Sequence, residues 1–291
     1  AKVYPYGAVT KGLEGEELAE IGMLAQAGAL AFTDGIKSVA NAQILRKALS
    51  YASNFGQMII QHAEEPSLAL GGDMNAGETA TRLGLSGIPR EAEIIMVERD
   101  IRLAAMSGGR LHFAHLSTSD AIDAVRQAKA RGQKITCDTA PPYFSLNEIA
   151  VGDYRTFSKL SPPLRSDDDR MAVIEGLKDG TIDAIASDHA PHDEESKRLP
   201  FAQAASGGIG LQTLLPVTLE LYHNGHMDVL TALKLISSAP ADLLGLEAGK
   251  LQKGAPADLA VIDLDRGWKV DAANMQSISK NSPFDGRPVQ G

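Results

Sequence analysis

Cysteine is almost absent from this sequence, since Cys137 is the only one among 291 residues. A single cysteine cannot form an intramolecular disulfide, so a disulfide scaffold is excluded and a reducing, cytoplasmic location is expected. There is also no apolar run of roughly 18 or more residues, the length that a transmembrane helix needs. The first residues lack the features of a signal peptide and an initiating Met, so we expect an N terminus that has been cut.

Positive charge is also scarce. The chain has 28 Lys and Arg residues against 37 Asp and Glu residues, and its formal net charge is -9. This balance gives no basic surface that would attract nucleic acid or an anionic membrane, so neither partner is expected. The hydrophobic content of 44% is enough to fill the core of one large domain.

Short apolar or β-branched runs alternate with longer segments of helical period, which predicts parallel strands joined by crossover helices. The predicted strands are residues 2–5, 29–34, 58–62, 110–115, 134–138 and 182–188. The main predicted helices are residues 16–27, 42–54, 90–106, 119–130, 168–178, 213–222 and 228–244. Six strand–helix units are too few to close a barrel of eight strands. The prediction is therefore an α/β fold that forms an incomplete TIM-like (β/α) barrel.

The pattern changes after Gly245. The segment GKLQKGAPADLAVIDLDRGWKV has alternating residues and turn pairs, which are typical of antiparallel strands. We therefore predict two domains: a barrel over residues 1–246 and part of a small β domain over residues 247–291.

Side chains that can bind metals stand at the C-terminal ends of four predicted strands: Asp34 in AFTDG, His62 in IIQHAEE, His115 in HFAHLST and Asp188 in IASDHAPH. In a (β/α) barrel these ends converge on one face. Imidazole and carboxylate ligands suit Zn²⁺, which can lower the pKa of a bound water to about 7. The sequence therefore predicts a metal-dependent hydrolase with these four ligands.

Strand alternation places His112 and His115 on opposite faces, so one should point into the barrel and the other toward the helices. We assign His115 to the inward face because Ser117 and Thr118 follow it at the strand end. A core histidine pair that binds no metal is the alternative.

Asp188 is the candidate general base and acid. A carboxylate beside a metal-bound hydroxide can accept its proton and later pass it to a leaving amine. An Asx turn or a helix N-cap near Pro191 is the alternative for this residue. Further along, the glycine-rich run 207–210 predicts a loop whose backbone amides approach a ligand, with Gly208 as the candidate contact.

Several longer segments carry a family resemblance: YPYGAVTKGLEGEELAEIG, KLSPPLRSDDDR, GLKDGTIDAIASDHAPH and GAPADLAVIDLD, together with the strand ends above. The chain resembles the bacterial dihydroorotases of the amidohydrolase superfamily. The resemblance implies interconversion of N-carbamoyl-L-aspartate and dihydroorotate in pyrimidine biosynthesis, with one or two zinc ions. It also implies that the small C-terminal domain is part of a β-sandwich.

The same resemblance assigns roles to individual residues. His62 and His115 match metal histidines, and Asp188 matches an aspartate that binds metal and shuttles a proton. His192 matches a histidine that contacts substrate. Asp34 falls where relatives bring a carboxylate that bridges two metals.

Two departures from the family bear on activity. Ser161 stands where the family commonly has an asparagine that contacts substrate. The HxH motif of the first strand is absent, because the chain begins near the third strand, so the barrel should hold strands 3 to 8. We therefore expect little or no activity from residues 1–291 alone.

Two alternatives remain open for the function. One is a non-catalytic dihydroorotase homologue that serves as a structural partner of aspartate transcarbamoylase. The other is a hydrolase of related cyclic ureides, of the hydantoinase or allantoinase type. If the chain is a dihydroorotase, its partner is a small-molecule substrate, and a homo-oligomer is expected.

Overall fold

A parallel sheet with helices packed along its outer side forms the centre of the molecule, in a computed structural model that describes residues 2–291. The strands are β1 (Met58–His62), β2 (Met74–Asn75), β3 (Gly87–Ile88), β4 (Arg110–Ala114), β5 (Ile135–Thr139), β6 (Ala184–Ile185), β7 (Gly267–Lys269) and β8 (Pro288–Gln290). The α-helices are α1 (Ile21–Gln26), α2 (Ala42–Ser53), α3 (Pro66–Ala69), α4 (Glu78–Leu83), α5 (Glu91–Ser107), α6 (Ser119–Ala130), α7 (Pro141–Ser145), α8 (Asp167–Lys178), α9 (Glu194–Lys197), α10 (Leu214–His223), α11 (Val229–Leu235) and α12 (Ser238–Leu244).

The main sheet has the strand order β1-β4-β5-β6, and each neighbouring pair is parallel. Side chains alternate across it, as the pleat requires. Ile59, Leu111 and Phe113 are fully buried in the main core with the helices, whereas Ile60 and His112 line a cavity on the other face. No helix among residues 2–291 combines the length and the apolar character that crossing a membrane requires.

The predicted strands agree closely with the structure at the centre of the chain and less well elsewhere, since β6 covers two residues of the strand predicted over 182–188 and only Phe32 of residues 29–34 forms bridges. The strand predicted over residues 58–62 is β1, and the next two predicted strands differ from β4 and β5 by about one residue. No strand forms over residues 2–5. Instead, single parallel bridges join Gly7 to Phe32 and Phe32 to Ile59. The segments around Phe32 and Gly7 therefore extend the sheet beyond β1, in that order.

The helix predicted over residues 228–244 is two helices, α11 and α12. The break lies at Ser237, whose φ of -134° and ψ of -83° are not helical. Helix α5 ends in a glycine cap, because Gly108 adopts the left-handed conformation with φ of 67°.

The C-terminal segment contains less strand than its pattern predicts. Residues 249–263 form no helix or strand, and the only antiparallel pair in the segment is β7 with β8. Val270, Phe284 and Val289 belong to the same core cluster as the barrel strands. The last part of the chain therefore packs against the barrel, and the division into domains at residues 246 and 247 stays a prediction.

Asp34 holds two parts of the chain together and does not face the cavity. Its buried carboxylate accepts hydrogen bonds from the backbone N–H groups of Val9 (3.0 Å) and Thr10 (2.9 Å) and from the Thr10 hydroxyl. Its neighbours Thr33 and Gly35 line the cavity, and Asp34 does not. These donors occupy both oxygens of Asp34, and the expectation that Asp34 binds metal stays a prediction.

Replacing Asp34 tests this structural role. Asp34→Asn should lower the free energy of unfolding by roughly 1–3 kcal/mol, because the new NH₂ group faces donors in a buried position. Zinc content should be unchanged. Urea denaturation and metal analysis measure the two effects, with the exposed Asp153→Asn as control. Loss of zinc with unchanged stability would show that Asp34 is a ligand after all.

Candidate active site

A cavity of about 310 Å³ lies against the inner face of the parallel strands. Part of its lining is apolar and includes Met58, Ile60 and Leu243, and the rest is polar. The polar side chains are His62, His112, His115, Asp138, Ser161 and Asp188, with Tyr6 and Thr33 nearby. Three of the four predicted metal ligands and Ser161 therefore share one cavity.

His62 ends β1 and is buried. Its Nε2 lies 3.2 Å from the Ser161 hydroxyl oxygen. Burial, together with the neighbouring His115, lowers the pKa of His62 to about 4. The imidazole is thus neutral at physiological pH and keeps a lone pair that can accept a proton or bind a metal.

His115 lies just beyond the end of β4, between two carboxylates. Its Nδ1 is 3.0 Å from Asp138 Oδ1, and its Nε2 is 3.5 Å from Asp188 Oδ1. Burial lowers the pKa of His115, but the charges of Asp138 and Asp188 outweigh burial and raise it to about 9. Without a metal, this imidazole therefore carries a proton at neutral pH.

The contact between His115 and Asp138 is an ion pair and not a well-aligned hydrogen bond. Although the atoms are only 3.0 Å apart, the buried Nδ1 atom has no partner with hydrogen-bond geometry. The Asp138 oxygen accepts instead from the backbone N–H of His115, at 2.7 Å. The ring nitrogen is therefore held near the carboxylate without being fixed to it.

Asp188 follows the last strand of the sheet and has a left-handed backbone, with φ of 46°. His115 has the same feature, with φ of 58°. Such conformations are uncommon for residues other than glycine and often mark functional sites. Burial raises the pKa of Asp188, and the positive charge of His115 only partly opposes this. A carboxyl group of this kind holds a proton more readily than an exposed aspartate.

Asp138 is a site residue that the motif analysis missed. Its Oδ2 accepts a hydrogen bond from His112 Nε2 at 2.9 Å, and the His112 Nδ1 is 2.9 Å from the Thr136 hydroxyl. Burial opposes ionisation of Asp138, but the charge of His115 and the histidine hydrogen bonds lower its pKa overall. The signal was present in the sequence, because Asp138 ends a predicted strand just as His62 does.

The assignment of His112 and His115 to opposite faces is wrong. His112 lies within β4 and lines the cavity, because it shares the inner face with Ala114. His115 lies past the strand end, where its left-handed backbone interrupts the alternation and turns the side chain to the same cavity. Both histidines consequently contact Asp138.

His192 and Gly208 lie in two adjacent loops outside this cavity. His192 Nε2 is 2.8 Å from the carbonyl oxygen of Ser206, and Gly208 forms a parallel bridge with His189. Gly208 and Asp188 line opposite parts of one small crevice. Asp188 thus lines both the cavity and the crevice that contains Gly208, and it shares a loop with His192.

The donor types in the cavity match those that zinc prefers, with two imidazoles and a carboxylate. The neutral His62 ring and the unbonded Nδ1 of His115 support this match. Across residues 2–291, however, no three His, Cys, Asp or Glu side chains are already grouped closely enough to hold a metal ion. The donor atoms of His62, His115 and Asp188 are of the types that zinc binds, but they lie too far apart to contact one ion at the same time.

Known proteins with similar sequences or folds indicate the family of this chain. A family model described as dihydro-orotase-like matches residues 1–121, and an amidohydrolase family model matches residues 169–290. Solved structures of similar fold include L-hydantoinase (dihydropyrimidinase) from Arthrobacter aurescens, with a TM-score of 0.86 and 29% identity over 99% of this chain and 66% of that one. A dihydropyrimidinase from Brevibacillus agri gives a TM-score of 0.81 at 24% identity, over 92% of this chain and 62% of that one. The fold is thus the amidohydrolase TIM barrel.

Sequence relatives are more similar still. The dihydroorotase of Desulforapulum autotrophicum is 48% identical over all of this chain and 68% of its own length. The dihydroorotase of Geotalea daltonii is 48% identical over 99% of this chain and 68% of its own length. This chain spans about two thirds of the length of these relatives. On this similarity, together with the family segments and the shared fold, the chain belongs to the dihydroorotase family of amidohydrolases.

Proposed function

We propose that this chain supplies the proton-transfer site of an enzyme that hydrolyses and re-forms the cyclic amide bond of dihydroorotate, with Asp188 as the residue that moves the proton. Little or no activity of residues 1–291 alone stays a prediction. The observation that carries this proposal is the contact of Asp188 with His115 in the cavity that also holds His62. Similarity to dihydroorotases over the whole chain supports the choice of substrate and a role in pyrimidine biosynthesis.

His62, His115 and Asp188 are the residues that would hold zinc. When bound there, the ion would polarise the amide carbonyl and make a water molecule more acidic. We propose one zinc ion rather than two, because among residues 2–291 the carboxylate expected to bridge a pair, Asp34, is bonded to Val9 and Thr10.

Asp188 performs the proton transfer of ring opening. Its carboxylate takes a proton from the attacking water as the water oxygen bonds to the amide carbon. It then gives that proton to the ring nitrogen as the carbon–nitrogen bond breaks, which leaves N-carbamoyl-L-aspartate. Ring closure follows the same path in reverse. The raised pKa of Asp188 suits both halves of this task.

The other residues of the site bind and orient. The Asp138 carboxylate accepts hydrogen bonds from the His115 backbone N–H and from His112 Nε2, which holds the His115 ring near Asp188 without fixing it. We assign Ser161, which lies beside His62, to a contact with the substrate ring, and His192 and the backbone of Gly208 to the substrate carboxylate. The homo-oligomer, the cytoplasmic location and an aspartate transcarbamoylase partner stay predictions.

A non-catalytic homologue is the second candidate function. It is favoured by Ser161 and by the absence, within residues 2–291, of a preassembled three-ligand group. In that case the carboxylates of Asp138 and Asp188 serve only to neutralise a buried histidinium. Catalysis tests separate the two functions.

Ring opening by the full-length, zinc-loaded protein should be visible as a change in the ultraviolet absorbance of dihydroorotate. Asp188→Asn should lower kcat by about 10²- to 10⁴-fold, since the amide cannot accept the proton. Asp193→Asn is the matched control, because Asp193 is exposed on the same loop and asparagine can also cap the helix that follows. No turnover of dihydroorotate, hydantoin or allantoin by the unsubstituted protein would favour the non-catalytic function.

Zinc affinity should rise with pH. Because the pKa of His115 is about 9 without metal, zinc must displace a proton from this ring at neutral pH. We expect affinity to increase about tenfold per pH unit from pH 7 toward pH 9. His62 adds no such slope, because its pKa of about 4 leaves it neutral throughout.

Competition with a chelator measures this dependence. Asp138→Asn removes the charge that raises the pKa of His115 most. The zinc affinity of this variant should therefore rise less steeply with pH between pH 7 and pH 9. Equal slopes for the two proteins, or an affinity that does not change between pH 7 and pH 9, would contradict a role for His115 as ligand.

A further inference from the structure

Two loops border the site on the side away from the sheet, and hydrogen bonds join them. The first, residues 187–192, carries Asp188 and His192, and the second is residues 206–210. The Ala190 N–H donates to the Gly208 carbonyl at 2.8 Å, and the Gly210 N–H donates to His189 Nδ1 at 3.1 Å. The geometry of the two loops is therefore coupled.

Asn281 lies beneath both loops although it is 71 residues beyond the second one in the chain. Its side-chain NH₂ donates to the carbonyl oxygens of Ala190 (2.9 Å) and Gly207 (3.1 Å), so one amide group bridges the two loops. Its Oδ1 accepts from the His192 backbone N–H at 3.4 Å. The side chain is buried, with 2% of its surface exposed.

The backbone of Asn281 adds to this attachment. Its carbonyl oxygen accepts a hydrogen bond from the Ile209 N–H at 3.1 Å. A Cβ atom on Gly208 would lie 3.3 Å from that oxygen and 2.8 Å from Pro283 Cδ. The glycine loop therefore packs directly on the segment around Asn281, and there is little room for it to shift toward that segment.

Further polar support for the second loop comes from His192 Nε2 on the Ser206 carbonyl oxygen (2.8 Å), from the Gly207 N–H on the Lys159 carbonyl oxygen (2.8 Å) and from Lys197. Its buried ammonium donates to the carbonyl oxygens of Ala205 (2.7 Å) and Gly207 (3.0 Å). Lys197 contacts only the second loop in this way. Asn281 is the side chain that contacts both loops, and an amide is suited to this because it offers two donors and an acceptor.

We infer that Asn281 is a positioning residue that sets the spacing between the Asp188–His192 loop and the glycine loop, and thereby the affinity for substrate. The inference concerning affinity rests on the proposed function, since it assigns substrate contacts to His192 and Gly208. Asn281 does not touch Asp188 through any hydrogen bond in the described structure. Its loss should therefore affect KM more than kcat.

Asn281→Asp tests the inference with almost no change in side-chain size. The substitution replaces the bridging NH₂ by an oxygen that repels the carbonyls of Ala190 and Gly207. Hydrogen exchange should lose protection in both loops while β1 keeps it. With dihydroorotate, KM should rise about tenfold and kcat should stay within about threefold of the unsubstituted value.

Asn274→Asp is the matched control. Asn274 is exposed in the same C-terminal region and bonds only locally, to Asp271, so neither exchange nor KM should change. Unchanged protection in both loops, or an unchanged KM in Asn281→Asp, would overturn the inference. If the unsubstituted protein does not turn over dihydroorotate, the proposed function fails, and the exchange comparison alone then decides whether Asn281 positions the loops.

Discussion

The register of the parallel strands is the constraint on which the site depends. Hydrogen bonding between β1 and β4 places His62 opposite Ala114, and the pairing of β4 with β5 places His112 opposite Thr136. Because side chains alternate, a shift of one residue in either pair would turn these histidines into the helical core. The buried residues on the other face, such as Phe113, make that shift costly. The packing of the core thus fixes the chemistry of the cavity.

Charge distribution inside the cavity follows from this placement. Two buried histidines lie close together, and only one of them has carboxylates beside it, so their pKa values move in opposite directions. The proton resides on His115, where Asp138 and Asp188 neutralise it. The positive charge of His115 thus offsets the negative charge of the two carboxylates buried beside it. A zinc ion held by His115 and Asp188 would bring two positive charges and would displace the His115 proton.

Much of this arrangement could be predicted from the sequence, since buried parallel strands have strong apolar runs. The prediction for residues 58–62 matches β1 residue for residue, and the polar residues at three strand ends do share a cavity. These features depend on local pattern and on a general property of barrels. Residues 2–5 form no strand, and the ladder pairing of this part of the chain is limited to a single bridge at Gly7.

The differences come from backbone geometry that a residue pattern does not encode. Asp34 occupies a strand end but turns toward the amide groups of Val9 and Thr10, a contact between segments about 25 residues apart. His115 escapes the period of two because its φ is positive. The bridge made by Asn281 joins three distant segments and leaves no mark in the spacing of residues. Tertiary contacts of this kind require coordinates.

The central claim is that His62, His115 and Asp188 surround one cation. X-ray absorption at the zinc edge of the loaded protein tests it most directly, because imidazole ligands have a characteristic scattering pattern. The account predicts at least two imidazoles per zinc, and one fewer after His115→Ala. A zinc environment without imidazole, or one that His115→Ala leaves unchanged, would contradict it.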